Sequence, residues 1–505
     1  MKPIFNLLIE PWIPCIEADG TPIELSLREV LARADELREL TGESPLVTAS
    51  LYRVLLALLH RVFGPATLDE WANLWTAGRW DMGHLDTYLG QWEHRFDLFD
   101  PRYPFYQTVN MTAKPKPVTS LVHHIASGNN ATLFDHHTDE GGIDLRPAVA
   151  ARMVTVAHTF GLAGLSGLPE KFTDGPWARG AIFLAQGDTL FETFVLNLLR
   201  YPDEEQIYSL YSHPDDCPAW EMDDPFQPQR EYPRGYLDYL TWQNRRIQFF
   251  PTAIDHQAVV REMKVVPGLR LAGEILHQDP MKRYRIDPKS GYRVLRFDEE
   301  RALWRDSAVL FRLHDSGNQT PAVFRWLARL VDEGYLVQSQ SYRYLALGMA
   351  NDRAKVEFYR SERMPLPLAY LCDQVLVDDL SSIVTMADRV SDQLWGAGAT
   401  LAKVWLAPGD DQSPPKEVRN VTEQMGITRR FWSRLEVPFR ETIEVLPRDH
   451  ESTMLAWRQT LIATAWNAIN QAADGLGAST RALKATVRAR EQLALGLAKV
   501  FPAQS

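Results

Sequence analysis

The chain has 505 residues, 45% of them hydrophobic and 24% charged, the range of ordinary globular proteins. At roughly 150 residues per domain this length suggests about three domains, or two large ones, with a core that needs neither disulfides nor metal. Its 54 Lys+Arg against 65 Asp+Glu leave a net charge of −11. That excludes a coat that binds nucleic acid through bulk charge, but not a local basic track, because a field depends on where the charges sit.

The three cysteines, Cys15, Cys217 and Cys372, include no CxxC pair. A disulfide framework and a Cys-rich zinc site are excluded, and a reducing cytoplasm is the expected compartment. The opening MKPIFNLLIEPWIP has too short an apolar run for a signal peptide. No run of about 18 uncharged apolar residues occurs, so no membrane span is expected. The most apolar helix candidate, 51–63, carries Arg53, His60 and Arg61.

In chain order, residues 3–9 read as a short strand ending at Pro11 and Pro14. Ser26 and Glu29 form a capping box, predicting an amphipathic helix to about Leu40. A second helix is expected over 46–63, stopped by Gly64-Pro65. Thr67 and Glu70 open a third, and 85–96 continues in the same style. From 101 to 180 the chain turns rich in Pro, Gly, His and Asn, a texture of long loops that are functional or disordered. Residues 245–370 mix short strands with one helix, capped by Thr320, begun at Pro321 and ended at Gly334. Alternation over 342–348 and a second run over 355–359, around Asn351-Asp352-Arg353, predict a hairpin with a polar tip. Helical periodicity over 374–407, 416–446, 450–473 and 479–500, with short connections, predicts a four-helix bundle. The expected fold is therefore α+β: a large mixed N-terminal domain, 1–365, and a bundle, 366–505.

Charge is unevenly spread. Residues 366–505 hold 15 basic and 16 acidic side chains, so the acidity lies before them. Residues 261–296 hold nine basic residues against four acidic ones. On the last helix Arg481, Lys484 and Arg488 share one face at i, i+3 and i+7, and Arg429, Arg430 and Arg434 form a smaller cluster. These read either as solvated surface or as phosphate contacts whose binding would be salt-dependent.

Three segments carry candidate chemistry. His123, His124, His136 and His137, with Asp135, Asp139 and Glu140, have the ligand types of a zinc or manganese site. Adjacent histidines rarely point at one ion and the segment lacks a helical HxxxH pair, so it reads rather as a surface or interface loop. Gly161, Gly164 and Gly167 form either a flexible turn or a backbone cradle for an anion. They match neither the P-loop nor the GxGxxG dinucleotide pattern. The tip at 351–353 is either plain turn chemistry or a wedge able to enter opened DNA. No GxSxG or recognised cysteine nucleophile is present.

Taken together, several features resemble the CasA family, the large subunit of the type I-E CRISPR surveillance complex Cascade. They are the opening Phe5–Pro14 motif FNLLIEPWIP, the 129–134 loop, the glycine loop at 160–167, the 342–359 hairpin and the terminal bundle. The resemblance covers essentially the whole chain. It implies a non-enzymatic, cytoplasmic subunit without cofactors, serving antiviral defence. It would recognise the protospacer-adjacent motif (PAM) in double-stranded DNA, help open the duplex for guide RNA pairing, and recruit the effector helicase–nuclease. The implied partners are the other Cascade subunits, the guide CRISPR RNA, target DNA and that helicase–nuclease, with no membrane.

Carried onto this sequence, the resemblance implies PAM contacts from Gly161 and Gly164 through the backbone and from Lys264 in the minor groove. It implies a wedge at Asp352, Arg353 and Ala354, where Arg353 stands in place of the family's glutamine. Asn130 and Phe134 would reach the guide handle and a neighbouring subunit. The basic stripe Arg481, Lys484 and Arg488 would follow the displaced strand. Because minor-groove readout is degenerate, tolerance of several PAM sequences is expected. The different class of function left open is a metal-dependent nuclease using the 123–140 His/Asp loop.

Overall fold

The structure, a computed structural model, describes residues 3–121, 143–200, 214–289, 291–313, 315, 317–352, 355–406 and 414–502. It divides into two compact units. The first comprises Met1–Asp298, Leu313–Val337 and Tyr342–Arg363; the second comprises Glu299–Arg312, Gln338–Ser341 and Met364–Ser505.

The first unit is α+β. β1 (Ile13–Glu17) is the centre of an antiparallel sheet with β2 (Pro22–Leu25) on one side and β3 (Leu37–Leu40) on the other. The strand expected at 3–9 is instead a single bridge, Asn6 to Asp97, followed by a turn that buries Trp12, whose Nε1 donates to the Leu7 carbonyl at 2.9 Å. Pairing begins only beyond Glu10-Pro11. The Ser26/Glu29 capping box is present, but its helix α1 (Leu27–Ala32) stops early. Leu37 and Leu40 are instead buried in β3 against β1, a tertiary preference that overrides helical spacing.

α2 (Pro45–Phe63) begins at the Ser44 cap and stops at Gly64. It is long and apolar enough to cross a membrane, yet 78% of its most apolar window is buried in the protein. Its Arg53 is a core residue: the guanidinium donates to the Tyr239 carbonyl and lies 4.6 Å from the Trp177 ring centroid. α3 (Leu68–Ala77) is capped by Thr67, while Glu70 accepts from the Ala66 N–H at 2.7 Å. α4 (Met82–Trp92) follows from Asp81. The loop-like stretch then contains a regular helix, α5 (Pro147–Phe160), whose Ala, Val and Thr residues pack against α2.

The remaining elements of this unit are strands with short helices between them. β4 (Lys116–Pro117) pairs with β7 (Gln257–Pro267), which forms a long hairpin with β6 (Arg245–Ile254). β5 (Ile182–Gln186) leads to α6 (Leu190–Asn197), and α7 (Tyr236–Leu240) packs on α2. β8 (Tyr284–Asp287) pairs with β9 (Gly291–Val294) and β10 (Asn318–Gln319). The helix expected after Thr320 starts one residue later, with Pro321 at the cap position, and runs Ala322–Asp332 before Gly334 at φ +80°. The predicted hairpin is longer than its alternating core: strands Ser341–Asp352 and Lys355–Pro367 form one sheet with β5.

The second unit is helical. Its long elements are Gln374–Leu406, Ile427–Val445, His450–Asp474 and Thr480–Val500, with a short helix, Pro415–Gln424, between the first two. The periodic run expected at 416–446 is broken at Gly426, whose φ of +60° admits a left-handed turn that continuous helix does not. Ile427, Phe431, Leu435, Phe439 and Ile443 form one apolar stripe. Thr480–Val500 turns Ala482, Ala485, Ala489 and Gly496 inward and packs along Gln374–Leu406. A Cβ on Gly496 would sit 2.8 Å from the Gln393 Cβ, so small residues set this close approach. Glu299–Arg312, expected in the N-terminal domain, belongs to this unit. Trp304 packs on Phe439 at 4.4 Å, and Arg305 pairs with Asp388 at 2.6 Å.

Trp457 anchors the bundle. It is 1% exposed, packs on Phe439 and donates from Nε1 to the Ile383 carbonyl at 3.0 Å. Trp457→Ala is expected to lower the stability of this unit by about 3–5 kcal/mol. Urea unfolding of the full chain checks this, and a loss below about 1 kcal/mol would show that the bundle relaxes around the cavity.

Candidate nucleic-acid interface

The glycine loop is a built structure. α5 ends at Gly161, whose N–H donates to the Ala157 carbonyl at 3.1 Å and whose carbonyl accepts from the Gly175 N–H at 2.6 Å. Space explains this glycine: a Cβ would lie 2.5 Å from the Ala157 oxygen and 2.9 Å from Arg245 Nη2. Further out, Gly164 and Phe172 exchange both backbone hydrogen bonds, at 3.2 and 3.0 Å. Asp174 accepts from the Ala163 N–H at 2.7 Å. The two arms therefore form a short antiparallel ribbon that presents residues 165–171 as its tip. There Leu165 is 86% exposed, Gly167 has φ +77°, and Ser166 Oγ accepts from the Leu168 N–H at 3.0 Å.

Neither Gly161 nor Gly164 has a free N–H in this conformation, because Gly161 donates back to α5 and Gly164 donates to Phe172 across the loop. Their place is to close the ribbon, and the exposed surface belongs to the residues between Gly164 and Phe172.

Arg245, which sequence reasoning missed, ties the ribbon to the hairpin. Its guanidinium donates from Nη2 to the Leu162 carbonyl at 2.8 Å and from Nη1 to the Thr173 carbonyl at 2.9 Å, one on each arm. It also lies 4.5 Å from the Phe172 ring centroid. Burial pushes its pKa down to about 10. The only sequence signal was an Arg opening a strand, with nothing to separate it from the chain's other arginines.

Lys264 sits on β7 opposite Gln248. Its Nζ donates to the Met111 carbonyl at 2.7 Å, over the Phe250 ring. Strand alternation puts Arg245 on the buried face of the hairpin and Gln248 and Lys264 on the other face. The three-residue step from Arg245 to Gln248 is about 10 Å. One hairpin therefore carries both the loop clamp and Lys264, but on opposite faces.

The basic segment 261–296 is not one patch. Lys282 is buried beside Asp279, Arg283 is buried and donates to Asn318, and Arg261 forms a bidentate pair with Asp144. The stripe on Thr480–Val500 is on one exposed face as expected, but two members are engaged. Arg481 donates to the Leu406 carbonyl, and Arg488 pairs with Glu491 at 3.0 Å. Lys484 has no ion pair among the described residues. Asp352 is the last residue of its strand, while Arg353 and Ala354 lie outside the described residues. Asn130, Phe134 and the whole His/Asp segment 123–140 also lie outside them. Among the described residues no group of three or more His, Cys, Asp or Glu is placed to hold a metal ion.

Over residues 6–468 the chain matches the family "CRISPR-associated protein Cse1". The chain belongs to the Cse1 family. It is 32% identical, over 97% of its length and 96% of the relative's, to the CRISPR-associated protein CasA/Cse1 of Thermus thermophilus. The crystal structure of Thermobifida fusca Cse1 has the same fold, with a TM-score of 0.83 at 27% identity, covering 99% of each chain. A chain of a CRISPR RNA-guided surveillance complex shares the fold at a TM-score of 0.75 and 22% identity, over 97% of this chain and 99% of its own. The Cse1 fold thus accounts for both the mixed first unit and the helical second one.

Proposed function

We propose that the chain is the non-catalytic large subunit of an RNA-guided Cascade complex. In this reading it recognises the PAM in double-stranded DNA, helps open the duplex for guide RNA pairing and recruits the effector helicase–nuclease in cytoplasmic antiviral defence. The observation that carries the reading is Cse1 membership over nearly the whole chain. The clamped glycine loop supports it further, since a braced ribbon with an exposed tip suits insertion into a groove. Phosphate contacts position such a subunit, and base-edge contacts at the tip and wedge supply its limited sequence preference. An acidic chain with narrow basic tracks fits a subunit that meets DNA only where a larger assembly places it.

The test is to assemble the complex with and without this chain and titrate duplexes that differ only at the PAM. Loss of discrimination without the chain supports the reading, and unchanged discrimination overturns it. Cleavage by the chain alone with Mn²⁺ would favour a nuclease built on the 123–140 loop instead.

For the stripe, the triple substitution Arg481/Lys484/Arg488→Ala is expected to make the salt dependence of DNA binding shallower. Each lost phosphate contact removes roughly 0.9 from the log–log slope. Because Arg481 and Arg488 already have partners in the chain, a change of about one contact, led by Lys484, is expected. An unchanged slope returns the stripe to solvated surface.

A further inference from the structure

The half-buried face of the β6–β7 hairpin carries two cations without an ion pair among the described residues, Arg246 and Lys264. Arg246 follows the clamp residue Arg245 on β6, so strand alternation turns it to the other face, with Gln248 and Lys264. Across the hairpin Arg246 stands opposite Val266, and Gln248 opposite Lys264. Arg246 and Lys264 are therefore diagonal neighbours, about 7–8 Å apart at the backbone and within reach of one another's long side chains. Glu262, opposite Phe250, is the acidic residue of this face, and it forms no ion pair with either cation.

Two features separate this pair from scattered surface charge. Each cation rests on a ring: the Arg246 guanidinium lies 4.3 Å from the Phe226 centroid, and Lys264 Nζ lies 5.3 Å from that of Phe250. A guanidinium held on a ring keeps its planar fork of donors available, and that fork matches phosphate oxygens. The fork is also uncommitted. Among the described residues Arg246 makes no side-chain hydrogen bond or ion pair, and none of its nitrogens is sealed from solvent. Its strand neighbours differ: Arg245 is spent on the ribbon, and Arg261 on Asp144. Lys264 uses one of its three donors, on the Met111 carbonyl. Two such cations on an open face, rather than in an enclosed cavity, suit a polyanion whose charges repeat along its length.

We infer that Arg246 is a phosphate contact to target DNA, braced by Phe226 and working beside Lys264. The inference rests on the reading of the chain as a DNA-recognition subunit and adds a residue that the resemblance does not supply. Along β6 the Arg246 row lies between the row that clamps the ribbon and the Gln248–Lys264 row. A DNA backbone running from the ribbon end of the hairpin toward Lys264 passes Arg246. A phosphate contact carries no sequence information, so Arg246 sets affinity and register and leaves the choice of PAM to others.

The complex assembled with the full chain is titrated, over a range of salt, with a duplex carrying a permissive motif and with one lacking it. Arg246→Gln is expected to weaken binding of both duplexes by the same factor, about threefold or more, and to make the log–log salt slope shallower by roughly 0.9, the value of one phosphate. The ratio between the two duplexes should stay constant. Arg246→Lys keeps the charge and loses the fork, so it should restore the slope while recovering only part of the affinity. Because Arg246 makes no hydrogen bond within the chain, Arg246→Gln should melt with the parent, and thermal melting checks this. Unchanged affinity and slope in the folded Arg246→Gln variant overturn the inference. A changed ratio at constant slope overturns it too, since Arg246 would then read bases. If the parent complex does not discriminate between the duplexes, the PAM reading fails by itself, and the slope of Arg246→Gln still decides the phosphate contact.

Discussion

Arg245→Ala is expected to reduce PAM discrimination by the assembled complex by about tenfold or more, a loss of roughly 1.4 kcal/mol. The guanidinium is the link that touches both arms of the glycine ribbon, through Leu162 on one and Thr173 on the other. Alanine leaves the Leu162 carbonyl without this donor, leaves the Thr173 carbonyl only the Asn244 Nδ2 at 3.4 Å, and opens a void beside Phe172. Hydrogen bonds from a charged donor contribute about 1.5–3 kcal/mol each, so losing the two should lower stability by roughly 3–6 kcal/mol alongside the functional loss. The two effects are separable. Arg245→Lys keeps the charge but cannot fork to both arms, so it should hold most of the stability and still lose discrimination. The measurement is the ratio of Kd values for duplexes with and without a permissive motif. If that ratio is unchanged in Arg245→Ala while the melting temperature falls, the clamp supports the fold and not recognition.

Arg245 also shows what was legible in the sequence. Local signals were read well where they determine the outcome alone: the Ser26 box, the Gly64-Pro65 stop, the helices at 374–407, 450–473 and 479–500, and the hairpin around 351. Failures came where a tertiary partner decided. Leu37–Leu40 has helical spacing after α1, but the open edge of β1 captured it as a strand. α5 was hidden in a stretch rich in Pro, Gly and His, because its Ala/Val/Thr composition is buried nearly all round and shows little amphipathic contrast. The glycine loop was found by its spacing, yet the use made of its N–H groups was not readable. Whether a backbone group faces a ligand or a neighbouring strand depends on residues such as Phe172 and Gly175 on the returning arm. Net charge over 261–296 likewise overstated the surface, since a sum over sequence cannot distinguish buried Lys282 from exposed Arg296.

Lys282 leads to a second large effect, in the dependence of stability on pH. Burial is the main cause that brings its pKa from 10.5 down to about 8; Arg53 pushes the same way, while Asp279 and Asp174 push back. Between about pH 8 and 10.5 the unfolded chain therefore holds a proton here that the folded chain has released. Stability from this group rises with pH across that window, and the penalty of a buried ammonium is present in full below it. Across that window the group's contribution is on the order of 3 kcal/mol. Other groups oppose it: burial raises the thiol of Cys15 to about 12 and that of Cys217 to about 11, so both take stability away as pH rises through 9. Tyr236, Tyr239 and Tyr284, raised by burial, do the same above pH 10. The net slope of the parent chain is thus uninformative, and the difference from a Lys282→Met variant isolates the lysine. That variant does not leave Asp279 bare, because its carboxylate still accepts from the Tyr239 hydroxyl and from the Met281 N–H at 2.8 Å. Unfolding free energies measured by urea at about pH 7.5 and about pH 9.5 are expected to move upward in the parent relative to Lys282→Met by about 2 kcal/mol. Parallel curves would mean that Lys282 keeps its proton throughout, held by Asp279 and the Pro176 carbonyl more firmly than burial opposes it.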